Sequence, residues 1–480
     1  GGAAIRALEG RAALSHAALA ALAARTVAWL NAHGIGRNDR VAIVLPNGPE
    51  MAGAFLCVGA GATTAPLNPA YRAEEFDFYL SDLDARAIVL MKGEGGAARE
   101  VAERRGIAIL DLTPGEAAGA FTLEGGKPGV AAKPGMAQPS DVALVLHTSG
   151  TTARPKSVPL SQANVAASAR HIGATLALTP ADSCLNILPL FHIHGLIAAV
   201  LSSIAAGGAV ICTPGFDALR VFRWLDEERP SWITAVPTMH QAILSRAERN
   251  REIIARARLR FLRSSSSSLP GPVMQELEAV FGCPLVESYG MTEASHQMAS
   301  NPLDGVRKPG LVGLAAGPEI AIMDDDGTIL PQGEIGEVVI RGPNDTAGYE
   351  NNPHANAKAF IHGWFRTGDQ GMLDADGYLM LTGRLKELIN RGGEKISPLE
   401  VDGVLSAHPA VAQALTFAMP HAKLGEEVAA AVVLREGAAL TERELRDFAS
   451  IHLADFKVPR KVVFLPEIPK GATGKLQRIG

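Results

Sequence analysis

Aromatic side chains are scarce in this sequence: 15 Phe, 5 Tyr and 4 Trp among 480 residues. With 47% hydrophobic residues, the core must be built mainly from aliphatic side chains, and that apolar content excludes a disordered chain. Cysteine is scarce too. Cys57, Cys184, Cys212 and Cys283 form no C-x-x-C pair, which removes the usual spacing of a zinc or dithiol site and suits packed thiols in a reducing compartment, the cytoplasm. Neither charge dominates: 45 Lys plus Arg against 50 Asp plus Glu leave a formal charge of −5, so the footprint of a nucleic-acid binder or a polybasic membrane protein is missing. No repeat of fixed period is found. The sequence opens Gly1-Gly2 without a methionine and is expected to belong to a longer one, with a targeting peptide left open.

Between Asp182 and Asp217 there is no Asp, Glu, Lys or Arg, a run long enough to cross a bilayer. Pro189, His192, His194 and Gly207-Gly208 interrupt it, and Ala209 to Thr213 is rich in strand formers. The run reads as a buried helix followed by a buried strand, and no membrane span is expected.

Glycine, by contrast, is abundant, with 50 residues beside 30 Pro, and in a folded chain these must serve turns and loops. The length suits about two to four domains. Ser15 can cap a helix bearing Leu19, Leu22, Val27 and Leu30, ended at Gly34 and followed by a strand over Val41 to Leu45. Strand-like runs recur at Ala87 to Leu90, Ala143 to Leu146, Ala209 to Cys212 and Trp232 to Val236, with helical segments between several of them. That alternation predicts α/β layers with largely parallel strands. Residues 124 to 140 read as a surface connection. From about 318 the texture changes to short strands, among them Glu319 to Met323 and Gly336 to Arg341, with Asp-Gly turns. After about 387 it becomes mixed again, with strands over Val428 to Leu434 and Val462 to Phe464 and a helix near Thr441 to Leu453.

The segment His147-Thr-Ser-Gly-Thr-Thr-Ala-Arg-Pro-Lys156 follows a predicted strand directly. Small, hydroxylic and glycine residues with a lysine suit a loop that wraps phosphate oxygens, although the Walker spacing is absent and a Ser/Thr-rich surface turn has the same composition. Tyr289-Gly-Met-Thr-Glu293, Arg366-Thr-Gly-Asp369, Gly383-Arg384-Leu-Lys386-Glu387 and Pro469-Lys-Gly-Ala-Thr-Gly-Lys475 follow in order. Together these motifs resemble the adenylate-forming superfamily of acyl-CoA synthetases, luciferases and peptide-synthetase adenylation domains, almost end to end.

The resemblance implies an α/β fold. Residues 1–385 would form a large AMP-binding N-terminal domain of layered α/β subdomains plus a distorted β-barrel, and residues 386–480 a small mobile α+β C-terminal domain. It implies ATP, Mg²⁺ and coenzyme A as ligands. Thr148, Ser149, Gly150, Thr151, Thr152 and Lys156 would orient the ATP phosphates. Ser266, Ser267, Ser268, Glu287, Ser288, Tyr289 and Gly290 would line the nucleotide, with Tyr289 on adenine. Thr292 would bind the α-phosphate and Glu293 would hold Mg²⁺. Asp369 would accept the ribose hydroxyls and Arg384 would contact the ribose and phosphates. Lys475 would be the adenylation lysine. Lys386 would be the hinge about which the C-terminal domain turns to present Gly392, Gly393 and Lys395 to CoA. Departures from the family's pattern are Ala153 and Ser157, where glycine is common, and the serine run 264 to 268.

For the acid, Pro189 to His194 offers histidines where an amino-acid adenylation domain offers an Asp for the ammonium. The phrases Leu67 to Arg72, Phe78 to Asp82 and Met291 to Met298 resemble the oxalate:CoA ligase branch. That implies a small-molecule carboxylic acid, oxalate, met by His194, Ser266 and His296. Readings that stay open are ligation of a fatty or aromatic acid, transfer to a carrier protein or to oxygen, and nucleotide binding without turnover.

Overall fold

The computed structural model describes residues 1–148 and 154–478. A nine-stranded sheet carries six parallel strands in the spatial order Ala3–Ala7, Ala209–Cys212, Ser183–Asn186, Trp232–Ala235, Phe261–Ser264 and Leu285–Met291. The antiparallel strand His296–Ser300 extends it beyond Leu285–Met291. A seven-stranded sheet has Arg40–Val44, Thr63–Pro66, Ala87–Met91, Ala108–Pro114 and Val142–His147 in parallel, edged by two antiparallel strands. One aliphatic core joins both sheets through residues such as Ile43, Leu144, Val210 and Trp232. Ligands of such open α/β sheets sit beyond the carboxyl ends of the strands, where Thr148, Ser265 and Thr292 are found.

The first helix is His16–Ala32, capped by the Ser15 hydroxyl as expected, but its C-cap is His33, one residue before Gly34. The uncharged run holds the expected buried helix and strand, plus a strand at Ser183–Asn186 that its sequence does not announce. Its helix begins as a π-helix over His194–Leu201, a wide turn common at functional positions. Among the described residues no helix is long and apolar enough to cross a membrane.

The barrel-like part is a five-stranded antiparallel sheet whose strands Trp364–Leu373 and Leu379–Arg384 are joined through Asp376-Gly377. Residues from Ile389 onward have their own core of Ile389, Ile396, Val401, Leu405, Val428 and Leu445. There Thr441 caps the helix Glu442–His452 with a reciprocal Glu444 bond, a strong start signal in the sequence.

Candidate active site

The base of the Ser/Thr-rich loop is closed by two bonds. Thr148 N donates to the Lys156 carbonyl at 2.9 Å and Lys156 N to Thr148 Oγ1 at 3.1 Å. Both stems lean on Asp82, whose carboxylate meets His147 Nε2 at 2.8 Å and Arg154 at 3.7 Å. Ser149, Gly150, Thr151, Thr152 and Ala153 lie outside the described residues. Ser157 belongs to the following strand Ser157–Ser161, paired with His147, so it is part of the loop's anchor. The Lys156 ammonium stands 4.6 Å from the Tyr349 ring centroid, and the Tyr349 hydroxyl donates to Glu293 Oε1 at 2.8 Å. Tyr349 thus links the phosphate loop to the acidic residue of the Tyr289–Glu293 motif, a connection no local pattern reveals.

The strand Leu285–Met291 delivers Glu287, Ser288, Tyr289 and Gly290. Tyr289 is buried and its hydroxyl donates to Asp369, whose other oxygen faces the Arg384 guanidinium at 3.7 Å. Each carboxylate oxygen keeps a further lone pair for a ribose hydroxyl. A Cβ on Gly290 would collide with the His296 carbonyl, so this glycine serves close packing of the two strands. Glu287 Oε1 accepts from Leu269 N at 2.9 Å, while Glu287 Oε2, Ser264 Oγ and Ser288 Oγ are buried without a protein partner. Burial pushes the Glu287 carboxyl up to about 8. Unpaired polar atoms at the carboxyl ends of adjacent strands fit a polar ligand such as a nucleotide.

The Lys475 loop reaches into this region. Thr238 Oγ1 donates to the Gly474 carbonyl at 2.6 Å. Gly474 has φ +82, and a Cβ there would stand 3.1 Å from Val236 Cγ2 and 3.3 Å from Thr238 Oγ1, so the approach requires glycine. Burial lowers the Lys475 ammonium to about 8, Arg384 pushes it the same way, and Asp369 and Glu293 oppose them. Burial and Lys475 together push His192 down to about 3. Lys475 therefore lies between the nucleotide groups and the histidine segment.

Gly392, Gly393 and Lys395 are not brought there. Gly392 and Gly393, at φ +59 and +99, form the exposed tip of a hairpin between Ile389–Arg391 and Glu394–Ile396, Lys395 is exposed on its second strand, and Lys386 is likewise exposed in a turn. Ser267 and Ser268 continue the loop after Phe261–Ser264 toward solvent.

His194 and His296, expected to meet the acid, are both 1% exposed, with rings stacked 4.7 Å apart. His194 Nδ1 meets Ser266 Oγ at 2.9 Å, and Ser266 adopts φ +75, an uncommon backbone for serine. Arg263 lies beneath both rings, within hydrogen-bond distance of His194 Nε2 and His296 Nε2. Sequence reasoning missed Arg263, which follows Arg256, Arg258 and Arg260 and so does not stand out from an arginine-rich stretch.

No group of three His, Cys, Asp or Glu able to hold a metal ion occurs among the described residues. A single carboxylate such as Glu293 fits Mg²⁺, which keeps waters and takes phosphate oxygens in nucleotide sites.

Two open α/β sheets, a lysine loop brought close through Gly474 and unpaired polar atoms at Ser264, Glu287 and Ser288 suit an enzyme that handles a nucleotide. The chain matches the AMP-binding enzyme family over residues 3–350 and the AMP-binding enzyme C-terminal domain over residues 400–475. It belongs to that family. An oxalate–CoA ligase of Arabidopsis thaliana is 46% identical over 98% of this chain and 93% of its own length. An oxalate–CoA ligase of Saccharomyces cerevisiae is 43% identical over 92% of this chain and 86% of its own. The crystal structure of ATP-bound MatB from Rhodopseudomonas palustris superposes with a TM-score of 0.88 at 31% identity, covering 99% of this chain and 94% of that one.

Proposed function

We propose that this chain is an ATP-dependent acid:CoA ligase whose acid is oxalate. It joins the acid to AMP with release of pyrophosphate, then passes the acyl group to the CoA thiol. The observation that carries the acid is the buried acyl end, where His194, His296, Ser266 and Arg263 supply polar groups and no carboxylate. A fatty or aromatic chain would offer no acceptor to the Ser266 hydroxyl, the donor that these bonds leave free, at a cost of about 1–3 kcal/mol. The two relatives named as oxalate–CoA ligases support the same reading.

In this reading a carboxylate attacks the α-phosphorus of ATP, and the site must bring two anions together. Thr148 to Lys156 cradle the phosphates; Ser266 to Ser268 and Glu287 to Gly290 line the base and ribose. Tyr289 packs on adenine, Asp369 holds the ribose hydroxyls and Arg384 reaches the ribose and phosphate edge. Thr292 meets the α-phosphate, and Lys475 bridges the carboxylate and phosphate oxygens. Glu293 would hold Mg²⁺, which when bound neutralises phosphate charge. The half-buried placement of Lys475 near Asp369 and Glu293, with an exposed Gly392-Gly393 hairpin, matches the first half-reaction. The second requires residues 386–480 to turn about Lys386 against residues 1–385, bringing Gly392, Gly393 and Lys395 to the pantetheine arm. The separate core after Ile389 and the turn at 385 to 387 support that division. Four unpaired, buried cysteines suit a cytoplasmic setting.

ATP–pyrophosphate exchange tests the acid. Oxalate should stimulate it where acetate, octanoate and benzoate do not; stronger exchange with a medium-chain or aromatic acid refutes oxalate and keeps the enzyme class. Product analysis with CoA present should yield the acyl-CoA thioester; free acyl-adenylate alone would refute the second step.

A further inference from the structure

Arg263 is 0% exposed in the strand Phe261–Ser264. Its hydrogen-bond partners are all neutral: Thr234 Oγ1 at 3.1 Å, His194 Nε2 at 3.2 Å, His296 Nε2 at 3.1 Å and Gln297 Oε1 at 3.1 Å. Burial pushes the guanidinium down to about 9, which leaves it charged at neutral pH, and no carboxylate contributes to its surroundings. A buried charge without a counter-ion is costly, and here it stands directly behind the groups that face the acyl pocket.

A guanidinium only donates hydrogen bonds. His194 Nε2 and His296 Nε2 must therefore both accept, which fixes each ring proton on Nδ1. Thr234 agrees: having accepted from Arg263, its hydroxyl is left to donate to His194 Nε2 at 2.6 Å. His194 Nδ1–H then donates to Ser266 Oγ, which frees the serine hydroxyl to donate onward. His296 Nδ1 lies beside Gly290, 3.1 Å from where a Cβ on that glycine would stand.

The backbone is strained to hold His296 there, with φ +52 at Ser295 and φ +93 at His296. Ser168 Oγ donates to the Ser295 carbonyl at 2.6 Å, Ser295 Oγ to the Asn344 carbonyl at 2.9 Å and Asn344 Nδ2 to the Ala294 carbonyl at 2.8 Å, which pins the strained corner. Burial first, then neighbouring basic groups, hold both imidazoles well below their ordinary range. Those neighbours are His296, for His194, and Arg263, His192 and Lys475 for both, and no acid is among them.

We propose that Arg263 is the positioning residue that selects acids carrying a second negative charge: it locks His194 and His296 as Nδ1–H donors and sets one uncompensated positive charge behind them. The inference rests on the acid:CoA ligase reading and deepens it by naming the dianion as the substrate class. One carboxylate of the acid faces the α-phosphorus, and the other neutralises the charge at Arg263 through the serine and histidine donors. A monoanion of the same shape leaves that charge uncompensated.

The test compares oxalate with oxamate, its monoanionic amide isostere, by ATP–pyrophosphate exchange in the wild type, Arg263→Met and Arg263→Lys. The wild type should favour oxalate in kcat/KM by at least about 10²-fold. Arg263→Met should bring the ratio to within about threefold of one, and Arg263→Lys should restore part of it, since a charge without the planar fork keeps the field but not both bonds. An Arg263→Met enzyme that keeps the wild-type ratio, or loses both acids equally, overturns the proposal and leaves the oxalate reading standing. A wild type that uses oxamate as well as oxalate likewise overturns the proposal, and a wild type that uses neither overturns the oxalate reading. Should Arg263→Met fail to fold, ¹⁵N NMR of histidine-labelled wild type decides, with signals assigned through His194→Asn and His296→Asn. Two neutral Nδ1–H imidazoles support the lock, and an Nε2–H or doubly protonated ring at either position overturns it.

Discussion

The Thr238 hydroxyl donates to the Gly474 carbonyl at 2.6 Å, fastening the loop that carries Lys475 to the helix Pro237–Leu244. The partners are 236 residues apart, and the bond ties the segment next to Lys475, itself half-buried, to a helix far away in the chain. Thr238→Val removes the donor and leaves the carbonyl unpaired, a loss of about 1–1.5 kcal/mol, or roughly tenfold. ATP–pyrophosphate exchange should fall by about that factor, whereas thioester formation from supplied acyl-adenylate should hold if, as proposed, the loop withdraws for the second half-reaction. Equal loss in both assays would show that Thr238 serves stability and not the loop.

Lys475→Ala should abolish adenylation and spare thioester formation from the adenylate. The lysine also sets a pH limit. Burial and Arg384 bring its ammonium to about 8, and only the charged form can neutralise two oxyanions. The kcat/KM for exchange, which reports the free enzyme, should therefore fall as pH rises through about 8. Lys475→Arg, slower overall, should lose that alkaline limb because guanidinium stays charged. An alkaline limb unchanged in Lys475→Arg would assign it to another group.

Glu287 gives a stability test. Its folded carboxyl is raised by burial to about 8 against an ordinary value near 4.5, so the folded state binds the extra proton. That contribution is fully present below pH 4.5 and is lost as pH rises through 8. Over this window Glu287→Gln should remove roughly 2–4 kcal/mol of pH-dependent destabilisation. Urea unfolding at pH 5 and pH 8 checks it; parallel pH dependence in both proteins would contradict it.

Five of the parallel strands, those at Val41, Ala87, Ala143, Ala209 and Trp232, and the helix starts at Ser15 and Thr441 were legible because each rests on local pattern, whereas Ala3–Ala7, Thr63–Pro66, Ala108–Pro114, Phe261–Ser264 and Leu285–Met291 were not read as strands. The strand Ser183–Asn186 was not, since Ser and Asn carry no strand signal and only its central place in the sheet makes it one. Among site residues the phosphate loop, the Tyr289–Glu293 motif and Lys475 stood out as motifs. Tyr349, Thr238 and Arg263 did not, because each acts through a partner distant in sequence.

By itself the sequence determined the α/β architecture and the inventory of chemical groups, since periodicity, caps and ordered motifs are properties of neighbouring residues. Only the tertiary structure decided which groups meet. It set a half-buried Lys475 among the charges of Arg384, Asp369 and Glu293, left the Gly392-Gly393 turn in solvent, and set a guanidinium without a counter-ion against two stacked histidines. Charge, tautomer and strain depend on distance through space, and at Arg263 every partner comes from another strand or helix of the fold.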